Sequence, residues 1–74
     1  MRKILIIDWE EGFDKVSFTK FQMEVLDMNL KESKKNTDRL LEGEKIILNI
    51  EDDNIATLFT KKIKEIGAIC EVID

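Results

Sequence analysis

The chain contains no proline, no histidine, one cysteine and three glycines in 74 residues. Without histidine, and with Cys70 as the one thiol, the usual zinc sets and Cys–His catalytic pairs are excluded. A lone cysteine cannot close an internal disulfide, so a reducing cytoplasm is the expected compartment. The missing prolines and the sparse glycines, Gly12, Gly43 and Gly67, leave no low-complexity tract, linker or internal repeat. Long apolar runs are also absent. Ile4-Leu5-Ile6-Ile7 and the broken stretch Ile46 to Ile50 fall far short of the roughly 20 apolar residues of a bilayer span. Arg2 and Lys3 precede an apolar run that stops at Asp8, too short for a signal peptide.

What is present is 43% apolar and 38% charged residues, the composition of one small soluble domain over residues 1–74. So short a chain offers little room for a catalytic cleft, and a non-enzymatic protein is expected. The charge is uneven. Residues 15–39 hold Lys15, Lys20, Lys31, Lys34, Lys35 and Arg39 against Glu24, Asp27, Glu32 and Asp38, a balance of +2 within a chain of net −4. Such a segment suits a mildly basic face presented to an acidic protein partner. Nucleic acid is a poor partner for a chain of pI near 4.8 with no aromatic-rich basic strand.

The residue pattern predicts six elements. Residues 3–8 form a β-branched strand, and Trp9 to Phe13 form an acidic loop. Asp14 caps a helix over about 15–27 whose apolar stripe is Val16, Phe18, Phe21, Val25 and Leu26. Asn29 and Glu32 have capping-box spacing for a second helix, polar and superficial, with Leu30, Thr37, Leu40 and Leu41 as its few inward positions. Gly43 stops it. Residues 45–50 alternate as a second strand. The Glu51-Asp52-Asp53 run then opens a third helix with Ile55, Leu58, Phe59, Ile63 and Ile66 at helical spacing, ended by Gly67. Residues 68–73 make a third strand. The order βααβαβ predicts an α+β fold, a two-layer α/β sandwich of three helices on one face of a three-stranded sheet. Connection lengths and crossover handedness give strand order 2-1-3, with the first strand antiparallel to both neighbours.

The sheet face away from the helices is expected to be unusually apolar. If Ile46, Leu48, Ile50, Cys70 and Val72 face the helices, then Ile47, Ile69 and Ile73 face away, joined by either Leu5 and Ile7 or Ile4 and Ile6. That makes a contiguous patch and a candidate second interface, with homodimerisation as one use. Chemistry-bearing clusters are otherwise weak. Asp8, Glu10, Glu11 and Asp14 lack the spacing of a calcium loop, so no metal is expected. No phosphate-binding or dinucleotide glycine pattern occurs, so no cofactor is expected. Cys70 reads as a small core residue and Trp9 as core or rim packing.

The stretch Asp14-Lys15-Val16-Ser17-Phe18-Thr19-Lys20-Phe21-Gln22-Met23, then Met28-Asn29-Leu30-Lys31-Glu32-Ser33-Lys34, resembles the C-terminal domain of the bacterial ribosomal stalk protein, large-subunit protein seven/twelve. That family reads N-K-V-x-V-I-K-x-V-R and G-L-G-L-K-E-A-K at the same separation. Its terminal E-A-G-A-E-V-E-V is similar to Glu65-Ile66-Gly67-Ala68-Ile69-Cys70-Glu71-Val72. By element order the resemblance spans residues 4–73, and it is dense at 14–34 and 65–72. It implies a recruiting surface for translational GTPases on the first two helices, with Val16, Lys20, Leu30, Lys31 and Lys34 at the matching positions. Thr19, Met23 and Glu24 depart from the family's Ile, Arg and Gly, and Asp27 and Asn29 stand for glycines. These changes reduce the attraction for an acidic surface. The family's dimerising N-terminal domain and hinge have no counterpart, so the expectation is a free-standing domain.

Two further likenesses are weaker. Lys3 to Asp8 is similar to the first strand of the ClpS adaptor, whose Asn-Asp-Asp and Thr-Pro-Met signals are missing. An adaptor would need a small acidic pocket for a free amino terminus. Response-regulator receivers also begin like Lys3 to Glu11, but need a longer parallel sheet. The expected function is a protein-binding module working through the first two helices. The alternatives are the peptide adaptor and a self-associating structural protein using the open sheet face.

Overall fold

The computed structural model describes residues 2–73. Strand β1 (Arg2–Trp9) is followed by helices α1 (Lys15–Leu26) and α2 (Leu30–Leu41), strand β2 (Ile46–Ile50), helix α3 (Asp53–Glu65) and strand β3 (Ala68–Ile73). The sheet has the order β2-β1-β3, and β1 is antiparallel to both neighbours, which makes β2 and β3 parallel. The three helices and three-stranded sheet form the expected α+β architecture.

Side-chain chemistry fixes the helix starts. Asp14 accepts from Ser17 N at 3.0 Å and from Ser17 Oγ at 2.7 Å, and these bonds hold its carboxyl below the ordinary value of 3.8. Asn29 Oδ1 accepts from Glu32 N at 2.8 Å, and Asp52 Oδ1 accepts from Asn54 N and Ile55 N. Gly67 ends α3 at φ +100°, and a Cβ there would lie 3.1 Å from Phe13 Cα. Only glycine fits both the backbone angle and the approach. Its carbonyl accepts from Glu10 N at 2.8 Å, which ties the β1–α1 loop to the start of β3.

The core lies between sheet and helices: Ile4 and Ile6 from β1, Ile46, Leu48 and Ile50 from β2, Ala68 and Cys70 from β3, closed by Phe18, Leu40, Ala56, Phe59 and Ile63. Burial pushes the Cys70 thiol up. The register settles which β1 residues lie on the open face: Ile4 and Ile6 point to the helices, Leu5 and Ile7 away. A bulge at Ile7 shifts the β1–β3 register, so Ile6 opposes Cys70 while Asp8 opposes Ile69.

Several expected core positions lie outside it. Val16 is 62% exposed and Leu30 58% exposed; Ile55, Leu58 and Val72 are also exposed. In α1 the buried positions are Phe18 and Gln22, and in α3 they are Ala56, Phe59, Thr60 and Ile63. The α3 stripe is thus rotated from the most apolar choice, because small Ala56 and Thr60 allow close approach to the core. Strand β1 extends through Trp9, a residue the sequence pattern assigns to the loop. The Trp9 indole donates to Leu40 O at 3.2 Å and packs on Phe13, so it closes the rim of the core.

Candidate functional site

Helices α1 and α2 are joined by only three residues, 27–29, so they must pack as a hairpin. The turn uses Asp27 in the left-handed region, φ 56°, with its N–H on Gln22 O. The seam between the helices is polar. Gln22, fully buried, donates from Nε2 to Ser33 O at 3.1 Å, Phe18 O at 3.3 Å and Thr37 Oγ1 at 3.3 Å, and accepts from Asn36 Nδ2 at 2.9 Å. Thr19 Oγ1 and Thr37 Oγ1 are 2.7 Å apart. Thr37 Oγ1 also reaches Ser33 O. Buried polar groups are tolerated when satisfied in this way. Ser33 Oγ is the exception in the seam, buried without a hydrogen-bond partner.

Short seam residues bring the two backbones together and leave the longer side chains on either flank. On the outer flank they enclose a groove of about 370 Å³. Helix α1 contributes Lys15, Val16, Thr19, Lys20 and Met23, and α2 contributes Leu30, Lys34, Asp38 and Leu41. Each set lies along one face of its helix, at spacings of three or four residues or at adjacent positions. Val16, Met23, Leu30 and Leu41 give the groove an apolar lining, and Lys15, Lys20 and Lys34 outnumber Asp38 among its charges. The exposure of Val16 and Leu30, costly in isolation, is concentrated here.

Four of the five residues expected at a partner surface, Val16, Lys20, Leu30 and Lys34, line this groove. Lys31 is exposed on α2 but does not line it. Lys15, Thr19, Met23, Asp38 and Leu41 complete the groove and lie outside the set of binding residues expected from sequence. For Leu41 the signal was its eleven-residue spacing from Leu30, three helical turns. For Asp38 no signal existed. Ile47, Ile69 and Ile73 do lie on the open sheet face, with Leu5 and Ile7 between them.

A second depression, about 340 Å³, lies where the end of α1 meets the start of α3. It is lined by Asp27, Asn49, Glu51 and Asp52 together with Val25, Leu26, Ile50 and Ile55, and the Asp52 carboxylate is engaged as the cap of α3. Among the described residues no group of three or more His, Cys, Asp and Glu is placed to hold a metal ion, and no helix is long and apolar enough to cross a membrane.

Comparison with known protein families, with curated proteins and with solved structures gives no match.

Proposed function

We propose that this chain is a non-enzymatic, cytoplasmic protein-binding module that seats an acidic, amphipathic segment of its partner in the α1–α2 groove. The observation that carries this reading is the coincidence of an apolar lining with a lysine rim in one groove, on a chain whose net charge is −4. An exposed apolar surface gives contact area, and the rim charges set encounter rate and orientation. The likeness to the stalk domain supports translational GTPases as the partner class. The positive φ of Asp27 fits that likeness, because the family has glycine there and glycine adopts this conformation without strain.

The test is a titration of labelled protein with translational GTPases, followed through the amide resonances of residues 15–34. Shifts confined to the groove support the reading, and a folded protein with no shifts refutes that partner class. A matched pair of variants refines it. Lys20→Gln with Lys34→Gln removes two charges inside the groove, while Lys31→Gln with Lys35→Gln removes two outside it. Groove docking predicts about tenfold weaker binding for the first pair and less than about threefold for the second. Equal losses would show that only the overall field matters.

The peptide-adaptor reading is favoured by a different observation. Asp27, Glu51 and Asp52 are among the residues lining a partly apolar depression, the acidic setting an amino terminus would need. Short peptides with a free or acetylated apolar first residue distinguish it, because an adaptor binds the free form and loses the acetylated one.

A further inference from the structure

Among the described residues no element covers the face of the sheet opposite the helices, and its register can be read as a grid. Perpendicular to the strands, one row is Asn49, Lys3, Ile73 and the next is Ile47, Leu5, Glu71. A third row holds Ile7 and, beyond the bulge, Ile69 beside Asp8. Ile47 is 57% exposed and Ile69 39% exposed, on a surface where alternation should place polar side chains. The two formal charges within the first two rows, Lys3 and Glu71, are opposite in sign, exposed and outside the ion pairs found among the described residues, Arg2–Asp53 and Arg39–Glu44.

A two-fold axis can lie in the plane of such a face in four simple ways. Along β1 it places Lys3 on Lys3. Perpendicular to the strands through Leu5 it places Glu71 on Glu71. Along the diagonal from Asn49 through Leu5 it buries Lys3 against Ile47 and Glu71 against Ile7. Each of these brings like charges together or strands a charge on an apolar side chain. The remaining diagonal, from Ile73 through Leu5, exchanges Lys3 with Glu71 and Ile47 with Ile7, and sets Leu5 on Leu5. With strands about 4.8 Å apart and rows about 6.6 Å apart, the strands of the two sheets then cross at roughly 70–90°, close to the orthogonal mode of sheet packing.

We propose that the open sheet face is a self-association surface, on which a second copy of this chain packs orthogonally with Lys3 of each copy over Glu71 of the other. The occupant is a second copy because the pattern is complementary to itself about an axis, as an isologous contact requires. With strands about 4.8 Å apart and about 3.3 Å of rise per residue, the face offers a flat footprint of roughly 250 Å² per copy. The two footprints together, about 500 Å², fall well below the roughly 1,200–2,000 Å² of stable specific interfaces, so the contact is a weak, transient dimer whose specificity rests on the charge exchange.

Sedimentation equilibrium of the whole chain, from about 10 μM to about 1 mM, reads the association directly, with amide spectra along the same series. The expected result is a monomer–dimer equilibrium, with concentration-dependent shifts at Leu5, Ile47, Glu71 and Ile73. Lys3→Glu and Glu71→Lys should each raise the dimer Kd about tenfold, and the double variant should recover most of the loss. Ile47→Ser, at a side chain that is mostly exposed and so dispensable for folding, should also dissociate the pair. Lys20→Gln with Lys34→Gln should leave it intact, which separates this surface from the α1–α2 groove. A monomer at about 1 mM overturns the proposal and leaves the face to a different protein. A dimer that ignores the single charge reversals, or is not restored by the double one, overturns it too.

Discussion

Replacing Gln22 with methionine keeps the volume of the side chain but removes the polar centre of the α1–α2 seam. Its amide has two protons shared among Phe18 O, Ser33 O and Thr37 Oγ1, and one oxygen bonded to Asn36. The partners are not left bare. Ser33 O still accepts from Thr37 Oγ1, Thr37 Oγ1 still has Thr19, and half-buried Asn36 can turn to water. The loss is therefore the net worth of two or three neutral hydrogen bonds, less the gain from burying a thioether, or about 1–2 kcal/mol. Gln22→Ala adds a cavity between the helices and should cost about 2–4 kcal/mol. For a domain of this size the methionine change corresponds to a fall in Tm of roughly 5–15 °C, and the alanine change approaches the whole stability of about 3–5 kcal/mol. Thermal unfolding followed by circular dichroism, with urea midpoints as a second measure, gives both numbers. If Gln22→Met melts within 1 °C or so of the parent, the seam is held by shape alone and the hydrogen-bond account is wrong.

Other substitutions test separate parts of the structure. Gly67→Ala should destabilise by about 2 kcal/mol, because it adds strain at positive φ to the approach of Phe13 Cα. Gly43→Ala, where nothing lies within 4 Å of the added Cβ, should cost only about 1 kcal/mol in the same urea experiment. Asp27→Gly and Ser33→Ala each introduce the residue of the stalk family and should stabilise by about 1 kcal/mol, the first by relieving a left-handed residue and the second by removing a buried hydroxyl without a partner. A lower midpoint for either would refute its rationale. The lowered carboxyl of Asp14 gives a stability increment fully present above the unfolded value of 3.8 and lost as pH falls through the lower native value. Asp14→Asn should keep much of the cap and abolish this increment, so the difference in urea midpoint between the two proteins should shrink between about pH 5 and pH 2.

The elements were legible because their signals are local. Asp14, Asn29 and Asp52 cap at the positions their types suggest, Gly43 and Gly67 stop helices, and the alternation of Ile46 to Ile50 matches its burial. Strand directions followed from the connections, and the order from a right-handed crossover with β1 between its neighbours. The interior of the helix pair was not legible. Hydropathy sends Val16 and Leu30 inward and Gln22 and Ser33 outward, and the structure reverses all four. Gln22 is buried because acceptors from α2 converge on it, and no periodicity in one helix reveals the partners supplied by another. The same reversal makes the groove. Once the seam is closed by polar residues, the apolar ones are displaced to its flank. Of the five positions the stalk likeness offers as partner-binding, Val16, Lys20, Leu30 and Lys34 line the groove and Lys31 does not, while Met23, a departure from that family, lines it as well.

The position of β1 has a consequence for the order in which the chain can assemble. The strand at the centre of the sheet is the first of the six elements to be synthesised, yet its two flanking strands begin at residues 46 and 68. Neither edge of Ile4 to Ile7 can be satisfied until much of the polypeptide is made, and the second only when residues 68–73 arrive. Growth from the N-terminus therefore cannot deposit finished structure layer by layer. The α1–α2 hairpin, built from local contacts, can form early, but the sheet closes in a late, non-local step. Until then an Ile-Leu-Ile-Ile segment with two open edges is exposed, which makes the nascent chain more prone to aggregate than the folded domain.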